Sequence, residues 1–538
     1  MPITQDQANF YRKAGYWTDI TFHDYLDTNA ESLPDVCAVK DAPNRMSLTG
    51  EPAASLSWRE LKHASQNLAL ALQQRGVERG DKVLVQMPNV TDLVVVYYAL
   101  SRLGAVISPI PVQYDSHEIE WVSSVLNNRF AITSGSLNGA PLPLLRHNPT
   151  PVSLLVVGQD LHIDQHSSSE PVNFEAVDPG SIVTICWTSG TTGTPKGVPR
   201  HHNHWMAVGY CNILGCNYGQ GDILLNPFPL VNMAALGGFL APAVMTGATL
   251  ILHHPIDVSV FLNQLVDEKV NFTIAPPPLL NQLAANPAMW KAFDFSSLRA
   301  IGSGAAPLSP WMIETFENEY GKTIVNFYGS NEGIALHSTP ESAPDAERRA
   351  AYFRIPTEGS AIQAAVADPE SHERLHKVGQ VGELLMSGPT VFDGYYDHDN
   401  REVFDSHGYF RTGDLVEISG DEGEYLRIVG RCKEMINRGG FKVSPVELDG
   451  LLETIPGVTQ AAAFSVQDAR LGERIGAAIV MESGHEPLSI EAIQAHFESA
   501  GVAKFKWPEK VVCLEDLPRN PLAKVQRFKL SEDYGASF

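Results

Sequence analysis

The chain has 538 residues, of which 44% are hydrophobic and 19% charged, and its formal net charge is −23. That length calls for two or more hydrophobic cores, and the composition is that of an ordinary globular protein. The acidic balance argues against a nucleic-acid partner, and any polyanionic ligand must be met by a local basic island.

Residues 1–17 are polar and lack the apolar stretch of a signal peptide. The six cysteines, Cys37, Cys186, Cys211, Cys216, Cys432 and Cys513, form no Cys-x-x-Cys pair. Their scatter predicts reduced thiols in a cytoplasmic protein rather than a disulfide framework or a zinc site. Helical and strand-like periods then alternate. Residues 58–75 read as a helix, 82–86 as a strand, 90–103 as a helix and 105–110 as a strand.

The next strand-like run, 181–187, feeds directly into Thr-Ser-Gly-Thr-Thr-Gly-Thr-Pro-Lys-Gly-Val at 188–198. Small hydroxyl residues and glycines let backbone N–H groups and hydroxyls turn inward around an oxyanion. Lys196 adds a charge suited to phosphate. A Walker loop is excluded, because counting from Gly190 puts Pro195 at its second glycine and Gly197 at its magnesium hydroxyl. His201, His202 and His204 follow, but no Cys, Asp or Glu set accompanies them in sequence, so a structural role is expected.

Residues 235–252 are uncharged for 18 positions, the threshold length of a membrane helix. Gly237, Gly238, Pro242 and Gly247 favour a buried helix, a turn at 246–247 and a strand over 248–252. Further on, 260–268 read as a helix, 272–275 as a strand, 298–301 as a strand before a glycine turn, 311–320 as a helix and 323–328 as a strand. Such alternation predicts α/β architecture with partly parallel sheets, whose ligands gather at strand ends. The turn at 302–307 fails as a dinucleotide fingerprint for want of a third glycine. Near residue 430 the texture changes. After a short strand at 425–429, strands at 461–465 and 476–481 and helices at 443–453 and 490–500 predict a small α+β domain. We draw the boundary at 430/431, giving domains 1–430 and 431–538.

The loop at 188–198 resembles the signature loop of the AMP-forming adenylating enzymes, the superfamily of acyl- and aryl-CoA synthetases, stand-alone adenylation enzymes and luciferases. The resemblance extends over essentially the whole chain. It implies a large N-terminal domain of several α/β subdomains and a small mobile C-terminal one. It gives the ATP phosphates to Thr188, Ser189, Gly190, Thr191, Thr192, Gly193 and Lys196, with Thr191 also catalytic. Asn326-Phe-Tyr-Gly-Ser-Asn-Glu332 is similar to the family's aromatic-Tyr-Gly-x-x-Glu motif. Glu332 is then the Mg²⁺ ligand, Tyr328 stacks on adenine, and Gly329, Ser330 and Asn331 approach the adenylate. Gly304 and Ala305 resemble the adenine-side turn. Asp414, read as lying in a turn between strands, takes the ribose, with Arg431 near the same sugar or the phosphate. Lys524 corresponds to the mobile catalytic lysine, although Leu522-Ala523 stand where Ser-Gly is usual. Lys433 corresponds to the hinge, and Gly439, Gly440 and Lys442 to the thiol tunnel.

Residues 228–236 resemble the segment lining the acid pocket. Val231, Met233 and Leu236 make an apolar wall beside Asn232, with Ser303, Gly304, Gly329 and Ile334 completing the pocket. The motifs at 11–17, 199–203 and 436–440 are similar to those of aryl-acid AMP ligases and of medium-chain or cyclohexanecarboxylate CoA ligases. The implied activity is acid–CoA ligation through an acyl-adenylate, on a hydrophobic aliphatic or aromatic acid. Its cofactors are ATP, Mg²⁺ and coenzyme A, or a carrier-protein phosphopantetheine, and no nucleic acid or membrane span is expected. The expected state is monomer or homodimer. Two further readings stay open: a stand-alone enzyme that loads a carrier protein in siderophore or natural-product biosynthesis, and a non-catalytic nucleotide-binding regulator. The luciferase-type oxygenase shares the scaffold.

Overall fold

The computed structural model describes residues 3–163, 173–188, 195–304, 308–333, 336–357, 359–439, 441–468, 470–482, 484–519 and 524–536. Chain contacts divide it into two compact units. Among the described residues the first comprises 3–188, 195–363 and 386–410, the second 364–385 and 411–536.

Local sequence sets the elements of the first unit. Ser57 accepts a hydrogen bond from Glu60 N while the Glu60 carboxylate returns to Ser57 N, and this capping box starts the helix Trp58–Gln74. Leu61, Ala64, Leu68 and Leu72 recur at helical spacing and are fully buried. Two sheets receive such helices. In the larger, Cys37–Lys40, Thr249–Leu252, Ile223–Asn226, Phe272–Ile274, Ala300–Gly304 and Thr323–Tyr328 run parallel in that spatial order. Antiparallel strands Ser55–Ser57 and Leu336–Ser338 close its edges. In the smaller, Ser153–Val156, Phe130–Thr133, Lys82–Gln86, Val106–Pro109 and Ile182–Thr188 are parallel, and Lys196–His201 folds back antiparallel on the last.

The uncharged run at 235–252 is interior protein. It forms a π-turn, Leu236–Leu240, a helix, Ala241–Thr246, a left-handed Gly247 at φ 73°, and the strand Thr249–Leu252. Among the described residues no helix is long and apolar enough to cross a membrane. Two readings need correction. The helix expected at 311–320 is α-helical only over Pro310–Glu314 and continues as a π-turn over Thr315–Glu319. The strand expected to stop at 301 runs on through Gly304, because Gly302 and Gly304 let it lie against the aromatic strand beside it. A Cβ at Gly302 would come within 2.5 Å of the Phe327 ring.

The second unit also holds two sheets. One includes Val381–Ser387, Phe410–Ser419 and Tyr425–Arg431. The other orders Phe441–Val443, Ile436–Arg438, Gly472–Met481 and Val458–Asp468, with Lys510–Cys513 beside Gly472–Met481. Strand alternation gives this second sheet two cores. Ala461 and Ala463 face Leu448, Leu452, Ile493 and Phe497 of the helices Pro445–Leu452 and Ile490–Ser499. Ala462, Phe464 and Val466 face Leu530 of the helix Arg527–Tyr534. That last helix is pinned by an ion pair: Arg527 donates to both oxygens of Asp449 and to the Ala463 carbonyl at 2.9 Å.

Burial also predicts an acid response. It pushes the His254 and His337 imidazoliums down to about 4 from the usual 6.5. Each ring is therefore held neutral in the fold but takes up a proton in the unfolded chain. Stability is complete above pH 6.5 and falls as the pH drops toward 4, by on the order of 3 kcal/mol per ring. Urea unfolding at pH 7 and pH 5 measures this. The drop is expected to shrink in His337→Asn, and an equal drop in that variant would remove His337 from the account.

Candidate active site

The antiparallel pair Ile182–Thr188 and Lys196–His201 puts Thr188 opposite Lys196, so the ends of the segment expected to form the phosphate loop share one ladder position. Ser189, Gly190, Thr191, Thr192 and Gly193 lie outside the described residues, as do Ala305, Ile334, Gly440 and the side chain of Lys442. The Lys196 ammonium lies over the ring of Tyr395, 4.8 Å from its centroid, and 3.3 Å from His398 Nε2. The hydroxyl of the same Tyr395 donates to Glu332 Oε1 at 2.6 Å. One tyrosine thus carries the lysine on its face and the carboxylate on its hydroxyl. Glu332 is buried, and its backbone carbonyl accepts from Phe392 N at 2.9 Å.

Asn331 joins two further segments. Its Oδ1 accepts from Met233 N at 2.8 Å and its Nδ2 donates to the Trp187 carbonyl at 3.3 Å. It therefore ties the expected acid-pocket segment to the strand before the phosphate loop. Gly333 has φ 123°, and a Cβ there would overlap the Thr390 carbonyl oxygen and the Arg200 guanidinium. Buried Arg200 donates through Nε to the Asn331 carbonyl at 3.2 Å and through Nη1 to Thr390 O at 3.1 Å. Ser330 Oγ is buried with no hydrogen-bond partner among the described residues.

The strand ends beside these residues supply the rest of the first unit's share. Tyr328 ends Thr323–Tyr328, half-buried, 5.8 Å from the Phe353 ring, and Gly329 is exposed just after it. Gly304 packs so close to the Phe327 carbonyl that no side chain fits. Ser303 is fully buried and its hydroxyl donates to Ala275 O at 2.8 Å, so it serves the sheet. Asn232 caps the short helix Met233–Ala235, its Oδ1 accepting from Ala235 N at 3.3 Å. Val231 and Leu236 are buried. Half-buried Met233 lies against Gly237, where a Cβ would come 2.8 Å from its sulfur.

In the second unit, Asp414 stands opposite Arg431 in the ladder, and Arg431 Nε donates to Asp414 Oδ1 at 2.7 Å. The expected turn around Asp414 is instead strand, Phe410–Ser419. Thr412 and Gly413 look like turn residues, but Thr412 Oγ1 accepts from Asp414 N at 3.0 Å and Glu383 Oε1 accepts from Gly413 N at 3.1 Å. These side-chain bonds let a kinked strand continue. Lys433 is exposed in the turn after Tyr425–Arg431, and Gly439 is exposed at φ 59°. Lys524 is exposed just before Val525, which bridges Arg519.

Sequence reasoning missed Tyr395, His398, Arg200 and Glu383. Tyr395 is 63 positions from Glu332, and no local spacing signals the pair.

A carboxylate and an ammonium thus meet on one tyrosine at the open end of an α/β sheet pair. The chain belongs to the AMP-binding enzyme family. That family matches residues 26–396, and its C-terminal domain matches residues 447–524. Among relatives, the medium-chain fatty-acid–CoA ligase of Escherichia coli (strain K12) is 30% identical, over 99% of this chain and 94% of its own. Enterobactin synthase component E of the same organism is 29% identical, over 98% and 97%. An ATP-bound MatB from Rhodopseudomonas palustris shares the fold, with a TM-score of 0.81 at 23% identity, over 96% of this chain and 99% of its own. The class is that of AMP-forming ligases, which activate a carboxylic acid with ATP.

Proposed function

We propose that this chain joins a hydrophobic carboxylic acid to coenzyme A through an acyl-adenylate. The observation that carries the proposal is the Lys196–Tyr395–Glu332 arrangement at the end of the phosphate-loop hairpin. The residues fit a polyphosphate with a hard cation. Glu332 offers carboxylate oxygen, Lys196 a positive charge, and Ser330 Oγ a buried hydroxyl with no partner among the described residues. Bound Mg²⁺ would neutralise phosphate charge as the substrate carboxylate attacks the α-phosphorus and pyrophosphate leaves. Glu332 is the residue that would hold it, oriented by the Tyr395 hydroxyl.

Lys196, with Thr188 and the hydroxyls of Thr191 and Thr192, binds the phosphates and keeps them in line with the acid. Gly304, with Ala305, and Tyr328 receive the base. Asp414 holds the ribose hydroxyls, and Arg431 fixes that carboxylate. Lys524 supplies charge for adenylation only. Lys433 is the hinge between the domains 1–430 and 431–538, and Gly439, Gly440 and Lys442 line the thiol's approach. The pantetheine thiol then attacks the acyl carbonyl, and AMP leaves.

Val231, Met233 and Leu236 favour an apolar acid. ATP–pyrophosphate exchange with a panel of aliphatic and aromatic acids tests the reading, and no exchange with any acid would overturn it. A second reading, transfer to a carrier protein, is supported by the similarity to enterobactin synthase component E at 29% identity. Thioester yield with free coenzyme A against a holo-carrier protein separates the two. Tyr395→Phe is expected to slow exchange about tenfold, the worth of a hydrogen bond to a charged group. A wild-type rate at limiting Mg²⁺ would show that Tyr395 does not orient Glu332.

A further inference from the structure

The histidines that follow the phosphate loop gain a carboxylate that the sequence separates from them by almost two hundred residues. Asp393 comes to His201 and His204, and one ligand atom from each of the three lies within 4.8 Å of the others. All three belong to the first unit. The expectation that no acid stands near these histidines is corrected here, because the chain returns to them only at the segment 388–396.

Their hydrogen bonding points to a ligand. His201 caps the helix His202–Cys216, and its Nδ1 accepts from His204 N at 3.0 Å, which leaves Nε2 for another partner. The His204 ring stacks on the His201 ring, with centroids 3.4 Å apart and planes 15° apart, so the rings aim their nitrogens side by side and one ring must turn for both to meet one ion. The indole of Trp17 packs edge-on to both, at 5.0 and 6.0 Å. His204 is 1% exposed, and neither of its ring nitrogens has a hydrogen-bond partner among the described residues. A neutral imidazole has one donor and one acceptor, and a buried pair of orphans is rare in a folded protein. Asp393 is exposed, so the cluster has an open side toward solvent.

We propose that His201, His204 and Asp393 bind one divalent d-block cation. Two imidazole nitrogens and one carboxylate oxygen suit Zn²⁺, Co²⁺ or Ni²⁺ better than Mg²⁺ or Ca²⁺, and leave a position for water. The charge of neighbouring Arg200 bears on both rings, while its hydrogen bonds go to the carbonyls of Asn331 and Thr390 and its guanidinium lies over the Trp205 ring at 4.9 Å. Asp393 supplies the anion.

The ion is distinct from the one assigned to Glu332, and its role is to hold a segment in place. It would tie the start of the helix His202–Cys216 to residues 388–396. That stretch provides Pro389 O for the Trp17 indole, Thr390 O for Arg200, Phe392 N for the Glu332 carbonyl and the Tyr395 hydroxyl for the Glu332 carboxylate. The ion would thus stiffen the support of Glu332 without touching substrate. Metal binding itself does not depend on the reaction proposed above, and it is measured without ATP or acid.

The experiment titrates chelator-treated full-length protein with Co²⁺ alone, reading visible absorption, bound metal by equilibrium dialysis, and thermal unfolding. The expected result is one equivalent bound, d–d bands of a nitrogen–oxygen site without sulfur charge transfer, a raised Tm, and displacement by Zn²⁺. Affinity is expected to fall at least about tenfold in His204→Ala and in Asp393→Asn. Asp393→Asn is an isosteric change at an exposed position, so it keeps the test valid if the core variant fails to fold. No stoichiometric binding, a thiolate band, or undiminished affinity in Asp393→Asn would overturn the proposal.

Discussion

Lys524→Ala is expected to cut acid-dependent ATP–pyrophosphate exchange by about 10²–10³-fold, the usual cost of removing one preorganised charge from a transition state. Thioester formation from a supplied acyl-adenylate should stay at the wild-type level. Lys524 is exposed, and its segment is held by the bridge between Arg519 and Val525, by Gln526 N donating to Pro518 O at 2.8 Å, and by the buried Arg527. None of these supports involves the lysine head. Lys433→Pro is the counterpart. Proline fixes φ near −65°, so the φ change proposed for this residue between the two half-reactions would be blocked. Exchange should survive in that variant while thioester formation slows by at least about tenfold, or 1.4 kcal/mol. Equal loss of both half-reactions in Lys524→Ala would sink the division of labour.

Gly333→Ala is expected to cost about 3 kcal/mol or more of stability and to abolish exchange, although it adds only a methyl group. Gly333 adopts φ 123°, a region closed to L side chains, and its missing Cβ is the space taken by the Thr390 carbonyl. To admit a methyl group the segment around Thr390 must move. That motion would break the Arg200 bonds to Thr390 O and carry away the Tyr395 hydroxyl from Glu332. Urea unfolding together with exchange measures both effects. An alanine variant of normal stability would mean that the segment yields easily.

The helix Trp58–Gln74 and the strand Lys82–Gln86 were legible because period and caps agree within a few residues. The same was true of the run at 235–252, where Gly247 marks the turn. Asp414 was misread for a local reason: Thr-Gly-Asp has turn composition, and the carboxylate of Glu383 that keeps the strand going lies 30 positions away. Asn331 and Glu332, which the structure ties to neighbouring segments, were singled out because they stand in one contiguous motif at a strand end. The pairs Glu332–Tyr395 and His204–Asp393 were invisible, since they exist only once the segment 388–396 folds across the hairpin and no periodicity encodes that crossing.

The anchoring of the helix Arg527–Tyr534 bears on how such a protein can be recombined. Asp449 and Arg527 are 78 positions apart, yet they share one buried ion pair, with Glu434 3.3 Å from the same guanidinium. A crossover between those positions would hand the lysine-bearing tail of one parent to the acidic socket of another. If that other parent's socket lacked its acid, Arg527 would be left buried without a counter-charge, a loss of the order of 3–5 kcal/mol. Grafts that exchange residues 434–527 as one block inherit the pair intact, so the natural unit of exchange is set by this arginine rather than by the lysine three residues before it.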